Sequence, residues 1–208
     1  MTRFYIVRHG ETEWNYDHNR YCGKTNISIS DTGAQQARKT AEFLAGTPLD
    51  AIYASTLKRA QETAEPIAKV HGIDVRTDSR LEEVDFGLWE GLRGDEIRSR
   101  YPDAWRLWCE QPETNAAGST GETARQVFER MNSFFEETAL HNPDGRILAV
   151  SHSTAIRIYL AGVLSMPFRA YRQLVQSNTG IAVVETSSEG MRLTQFNCRY
   201  DSFAAKVP

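Results

Sequence analysis

Cysteine is scarce in this chain, and nothing in its spacing suggests a metal. The three cysteines, Cys22, Cys109 and Cys198, are odd in number and far apart, which argues against a disulfide framework and for reduced thiols in a cytoplasm. There is no CxxC pair and no Cys/His cluster with metal-ligand spacing. No apolar run approaches the roughly 18 residues of a membrane helix, and the first residues lack a signal peptide's apolar core. No GxxxxGK[ST] stretch is present to cradle a nucleotide phosphate. Strong charge imbalance is also missing. A net charge of -3 and a pI near 6.0 argue against a general nucleic-acid or membrane-surface binder. A cytoplasmic location is the expectation.

What remains is the composition of an ordinary globular chain, 40% hydrophobic and 25% charged over 208 residues, enough for one large domain with a substantial core. Strand and helix signals alternate along it. Phe4–Val7 reads as a buried strand, and Ser30–Gly33 opens a helix to about Leu44. Asp50–Ala54 reads as a strand, Leu57–Val70 as a helix broken or kinked near Pro66, and Ile73–Val75 as a brief strand. A Trp-rich polar segment, about 88–121, is expected to hold one or two short helices between Asp95 and Trp108 and to form a lid-like insertion over one end of the sheet. A helix from Thr123 to about His141, a strand Arg146–Val150 and a helix Ser153–Leu164 follow. Gly180–Glu185 and Met191–Asn197 read as a closing hairpin. The alternation predicts an α/β three-layer sandwich, one domain spanning 1–208, with a mostly parallel central sheet and helices on both faces.

The first strand ends on Arg8-His9-Gly10, and in an open α/β sheet ligands bind at the carboxyl ends of strands. An imidazole beside a guanidinium there could attack or hold an anion such as phosphate. Alone, the histidine is better read as a hydrogen-bonded structural group. Four further features turn it into a candidate site. His152 ends a second buried strand, with a helix start behind it whose N–H groups favour an anion. Arg59 lies in the first turn of the helix after a third strand, where a cation opposes the helix dipole and calls for an anionic partner. Asn15 follows His9 in the next loop. An acidic stretch, Glu82 to Glu90, sits among hydrophobic residues, and an apolar setting there would raise a carboxyl pKa and make it a proton donor. Ser151 and Ser153 read as helix caps rather than nucleophiles. Three predicted strands thus deliver Arg or His to one sheet edge.

These motifs resemble the histidine phosphatase superfamily, the branch shared with cofactor-dependent phosphoglycerate mutases. The resemblance is carried by Ile6–Asn15, Asn19–Gly23, Ser55–Ala64, Leu81–Gly87 and His152, in family order from residue 4 to about 165. It implies His9 as a nucleophile that becomes phosphorylated, with Arg8, Asn15, Arg59 and a protonated His152 around the phosphoryl group. It implies Glu83, and not Glu82, as the proton donor, and places Cys22, Gly23 and Ser153 near bound substrate. No metal or cofactor is required. The implied partner is a small phosphorylated metabolite, with a homodimer as the default assembly.

The chain departs from the family pattern where Ser153 replaces the usual Gly, and where Cys22–Ile29 replaces Gln-Gly-x-x-Asp-x-Pro-Leu. Mutases of the family are longer, with substrate-carboxylate arginines in an insertion after the acid. Here the 88–121 segment and the Gly121-Glu122-Thr123 helix start resemble the phosphatase form, although Arg93, Arg98, Arg100 and Arg106 could meet an acidic substrate. A phosphatase is therefore the expectation, a mutase the alternative, and a non-catalytic phospho-ligand-binding module the third reading.

Overall fold

A computed structural model describes residues 1–17, 20–187 and 190–201. Chain order is β1 (Arg3–Arg8), α1 (Glu13–Tyr16), α2 (Asp31–Leu44), β2 (Ala51–Ala54), α3 (Lys58–His71) and β3 (Val75–Thr77). After these come α4 (Gly94–Arg100), α5 (Pro102–Glu110), α6 (Ala124–His141), β4 (Arg146–Ser151), α7 (Ser153–Val163), β5 (Ile181–Ser187) and β6 (Gly190–Cys198). Six strands form one sheet in the order β3-β2-β4-β1-β5-β6. β3, β2, β4 and β1 run parallel, while β5 runs antiparallel to both β1 and β6. The expected mostly parallel sheet is present, with an antiparallel hairpin on one side.

Both faces of the sheet are buried, and the side-chain period of two divides each strand between them. Phe4, Ile6, Ile147, Ala149, Ala182 and Val184 pack against α6 and α7. Val7, Leu148, Val150, Ile181 and Val183 pack on the other face against α2 and α3. Register then decides what the strand ends deliver. Arg8 pairs with Ser151, and Ala54 pairs with Val150. The residues that follow, His9, His152 and Ser55, therefore emerge at one level.

Helix starts follow the local chemistry. Ser30 caps α2 by accepting the Gly33 N–H, and Thr123 forms a capping box with Gln126 at α6. α3 runs continuously through Pro66, without the break that was one of the two expectations there. Its buried face of Ala60, Ala64, Ile67 and Ala68 offsets the roughly 3 kcal/mol a helical proline costs. β3 starts two residues later than expected, because the Gly72 and Ile73 N–H groups still bond the Ala68 carbonyl at the end of α3. Pro102 at the start of α5 separates it from α4.

The 88–121 segment is welded to the core: Trp89, Ile97, Trp108 and Ala117 are fully buried with α6 and α7. Its backbone also pairs with Tyr21, through Tyr21 N–H to Leu92 and Gly91 N–H to Tyr21. Phe135 is a keystone of this face. Its ring lies 4.4 Å from Tyr159 and 5.0 Å from both Phe4 and Phe134. Phe135→Ala should lower unfolding free energy by about 3–5 kcal/mol, read from urea titrations; a loss below 1 kcal/mol would mean the cluster repacks freely.

Candidate active site

His9 lies just beyond β1, buried, with its backbone N–H on the Ser151 carbonyl. Gly10 allows this turn to press against the start of α2: a Cβ there would stand 2.7 Å from the Gly33 carbonyl oxygen. The His9 Nδ1–H donates to the Gly10 carbonyl at 2.7 Å. A carbonyl only accepts, so the proton sits on Nδ1 and Nε2 keeps its lone pair. Burial, then the charges of Arg59 and Arg8, hold the imidazole well below its ordinary pKa. The ring is neutral at physiological pH.

His152 is fully buried, its ring 5.1 Å from that of His9. Arg59 Nε–H donates to its Nδ1 at 3.1 Å, which puts the remaining proton on Nε2. That Nε2 has no hydrogen-bond partner. Burial and Arg59 also hold this ring well below its ordinary pKa. The expected protonated His152 is thus corrected: it is a neutral imidazole, and its Nε2–H is still a donor.

Arg59 is fully buried and, among the described residues, pairs with no carboxylate. Its other N–H groups donate to the carbonyls of Thr25 (2.8 Å), Cys22 (3.1 Å) and Gly23 (2.8 Å). These carbonyl oxygens and the His152 ring take four of its five N–H groups, and the fifth is left for the expected anionic partner. Gly23 therefore serves the loop: it is buried, outside the cavity lining, and a Cβ there would meet the Val84 oxygen at 2.3 Å. Cys22 does line the cavity, and burial pushes its thiol up to about 11. Asn19, which opens the quoted motif, lies outside the described residues.

Glu83 is buried, but not in an apolar setting. Its Oε1 accepts the N–H groups of Val84 (2.9 Å) and Ala155 (2.8 Å), and its Oε2 accepts the Thr154 N–H at 3.1 Å. The N–H groups at the α7 start, expected to favour an external anion, are thus taken up by this protein's own Glu83 carboxyl group. Its segment is pinned from behind by Arg130, which donates to the Arg80, Glu82 and Glu83 carbonyls and pairs with Glu122. Glu82 pairs with Lys24 and Thr56 outside the cavity.

His9, Glu83, Arg8, Asn15, Cys22 and Ser153 share one cavity of about 420 Å³; Arg59 and His152, fully buried, stand behind it and are not among its lining residues. Asn15 sits in α1, a turn of helix the sequence reading took for loop. Its Oδ1 accepts from Thr12 and Asn178, so the amide NH₂ is the end available to an anion. Ser151 and Ser153 cap nothing: His152 occupies the cap position and Ser151 Oγ donates to Leu81. The walls come from Tyr21, Phe86 and the stretch Tyr171–Gln176. The 88–121 segment backs this wall through Tyr21, whose ring meets Trp89 and Trp105, and supplies no lining residue. A larger hollow of about 740 Å³, between Phe128, Leu140 and Met191, shares no lining residue with the site.

Sequence reasoning missed the loop after Tyr171. Gln176 takes the Arg8 Nη1 bond at 2.7 Å, Asn178 bonds the His9 carbonyl, and the Thr179 N–H bonds that of Arg8. Thr179 has φ 56°, a strained conformation for a β-branched residue. It also missed Arg157 and Arg172, which line the cavity. Arg93, Arg98, Arg100 and Arg106 do not line it. Burial and Arg157 push the Arg8 guanidinium down to about 10, so it stays charged. Among the described residues no three His, Cys, Asp or Glu side chains gather in metal-binding fashion, and no helix is long and apolar enough to cross a membrane.

Fold and site together define an α/β protein with a neutral, lone-pair-bearing imidazole in a pocket lined by guanidinium groups. The sequence matches the histidine phosphatase superfamily (branch 1) over residues 4–199, and the chain belongs to that family. It is 31% identical over 184 residues to phosphoserine phosphatase 1 of Hydrogenobacter thermophilus, covering 88% of this chain and 86% of that one. It is 33% identical over 185 residues to probable phosphoglycerate mutase GpmB of Cronobacter sakazakii, covering 89% and 85%. The crystal structure of a phosphoserine phosphatase mutant from Entamoeba histolytica, in complex with phosphoserine, superposes with a TM-score of 0.87 at 29% identity, covering 95% of this chain and 97% of that one. The relatives thus include both phosphatases and mutases acting on small phosphorylated metabolites.

Two neutral buried histidines set a pH dependence. Unfolded, both rings bind protons near about pH 6.5; folded, they do so only at lower pH. Unfolding therefore takes up protons below that value, and stability is lost as the pH is lowered. The melting temperature should drop between about pH 7.5 and about pH 5.5, less steeply in His152→Asn. An equal slope in both proteins would show that His152 titrates normally.

Proposed function

We propose that the protein hydrolyses a small phosphomonoester through a phosphohistidine on His9. The observation that carries this reading is the bare Nε2 of His9, a residue of the cavity that is also lined by the Arg8, Arg157 and Arg172 guanidiniums and the Asn15 amide. In the first step Nε2 attacks phosphorus, the P–O ester bond breaks, and the leaving alkoxide takes a proton from Glu83. In the second, water gives a proton to the Glu83 carboxylate and attacks the phosphohistidine, releasing phosphate and restoring Nε2. Oε2 of Glu83 is the oxygen suited to carry that proton, because it accepts one N–H where Oε1 accepts two. Such acid–base assistance is typically worth about 10²–10⁴-fold.

Arg8, the remaining Arg59 N–H, the His152 Nε2–H and the Asn15 amide act on the phosphoryl oxygens as charge spreads over them. Cys22 and Ser153, which line the same cavity, stand beside the substrate. Hydrolysis is favoured over the mutase reading because Arg93, Arg98, Arg100 and Arg106 of the 88–121 segment line no part of the cavity; Arg98 lies over the Trp105 ring and the other three are paired with carboxylates. Arg93 pairs with Asp17, Arg100 with Glu96, and Arg106 with Glu110. The 33% identical mutase relative keeps transfer to a second hydroxyl as the alternative.

His9→Ala should abolish hydrolysis of p-nitrophenyl phosphate while the circular dichroism spectrum and melting transition stay cooperative. Normal turnover in that variant would remove His9 from the mechanism. Glu83→Gln should slow alkyl phosphates at least about tenfold more than aryl phosphates, whose leaving groups need little protonation. Equal slowing of both classes would show that Glu83 is not the acid. A coupled assay for phosphoglycerate interconversion, run beside phosphate release, separates the hydrolase from the mutase.

A further inference from the structure

Hydrolysis of a phosphohistidine sets a geometric demand on the water that attacks it. Water carries two protons, and both need acceptors if its lone pair is to be held toward phosphorus. The Glu83 carboxylate takes the first. The second meets a cavity rich in donors: Arg8, Arg20, Arg157 and Arg172 line it, and a guanidinium offers no acceptor. Side-chain oxygens of the lining are largely engaged. Asn15 Oδ1 accepts from Thr12 and Asn178, Thr154 Oγ1 from Arg157, and the Tyr171 hydroxyl from Trp108. The Tyr21 hydroxyl lies against Arg172, and Gln176 Oε1 is buried out of contact with solvent.

Ser153 is different. It lines the cavity, half-buried, as the first residue of α7. Its carbonyl accepts the Arg157 Nε–H at 3.0 Å, but among the described residues its hydroxyl and its N–H meet no hydrogen-bond partner. The hydroxyl does not cap the helix either, since His152 holds the cap position. A serine that serves no cap and no neighbour adds little to the fold that alanine would not. Its place in the chain is what gives it a use. It directly precedes Thr154, whose N–H holds Glu83 Oε2 at 3.1 Å, and consecutive residues are only about 3.8 Å apart. An uncommitted hydroxyl, both acceptor and donor, therefore stands at the same helix start that fixes the proton-carrying oxygen.

We propose that the Ser153 hydroxyl orients the attacking water by accepting the proton that Glu83 does not take, and so selects water over an alcohol as phosphoryl acceptor. The assignment rests on the phosphohistidine reading above. As the new O–P bond forms, the water O–H bond facing Glu83 breaks and its proton moves to the carboxylate. The electron pair of the N–P bond returns to His9 Nε2. The second water proton stays on its oxygen and leaves with the phosphate, and the Ser153 proton is never transferred. An alcohol brings a single proton, which Glu83 takes. Its carbon then faces Ser153 Oγ, and the hydrogen bond that water makes there is lost.

The test follows the phosphoryl group of p-nitrophenyl phosphate in a methanol–water mixture. Released p-nitrophenol counts every phosphorylation of the enzyme, inorganic phosphate counts transfer to water, and methyl phosphate counts transfer to methanol. In the wild type, the ratio of methyl phosphate to phosphate should lie about tenfold or more below the molar ratio of methanol to water. Ser153→Ala should raise that product ratio about tenfold, and rapid-quench samples should hold more phosphohistidine in the steady state. Ser153→Thr, which keeps the hydroxyl, should keep the wild-type ratio. A wild-type product ratio at or above the molar ratio overturns the proposal without any variant having to fold. So does a folded Ser153→Ala that partitions like the wild type, or a Ser153→Thr that partitions like Ser153→Ala. A wild type that releases no p-nitrophenol is a separate failure: it removes the phosphohistidine reading, and this role with it.

Discussion

A guanidinium with no water around it is the constraint on which this site turns. Arg59 is fully buried, and an unsatisfied buried charge would cost several kcal/mol. The fold meets that demand without a carboxylate. The carbonyls of Cys22, Gly23 and Thr25 and the Nδ1 of His152 take up the guanidinium's N–H groups. The loop so gathered is held from its other side by Glu90, which accepts the Gly23 and Thr25 N–H groups. Its carbonyls face a cation and its N–H groups face an anion. One residue thereby fixes the loop that leads into the Tyr21 wall and also the proton position on the second imidazole.

The charges around the cavity follow a single plan. The imidazoles are kept neutral by burial beside arginines, so one offers a lone pair and the other a proton. The acidic group in the lining, Glu83, is held by three backbone N–H groups and forms no salt bridge with the arginines among the described residues. Those N–H groups belong to the α7 start and to Val84, and Arg130 clamps the Glu83 backbone from behind. Donors that are fixed before the ligand arrives need no reorganisation when charge develops. The strained Thr179 and its neighbours Gln176 and Asn178 hold Arg8 and His9 in the same manner from the opposite side.

Much of this was legible in the chain. Buried strands ending on Arg8-His9 and on His152, and Arg59 opening the helix after a third strand, are patterns of sequence order. A parallel sheet converts order into position. The helices capped by Ser30 and Thr123 were equally legible, because a cap is chemistry between residues three apart. Other features were misread where distant contacts outweigh local preference. Pro66 stays helical because its helix is packed on the sheet. The 88–121 segment backs a wall because its tryptophans are drawn into the core. Glu83 has apolar neighbours in sequence and polar ones in space.

The sequence by itself determined the α/β layering and the set of residues gathered at the strand ends, because both depend on periodicity and on the direction a parallel strand takes. Tertiary structure alone decided which histidine nitrogen is bare, what anion the α7 start holds, and that Arg157 and Arg172 stand in the cavity while Arg93, Arg98, Arg100 and Arg106 do not. Each of those outcomes depends on an acceptor or a ring supplied from tens of residues away. No local pattern encodes a hydrogen bond between Arg59 and His152, and that bond sets the donor that meets the ligand.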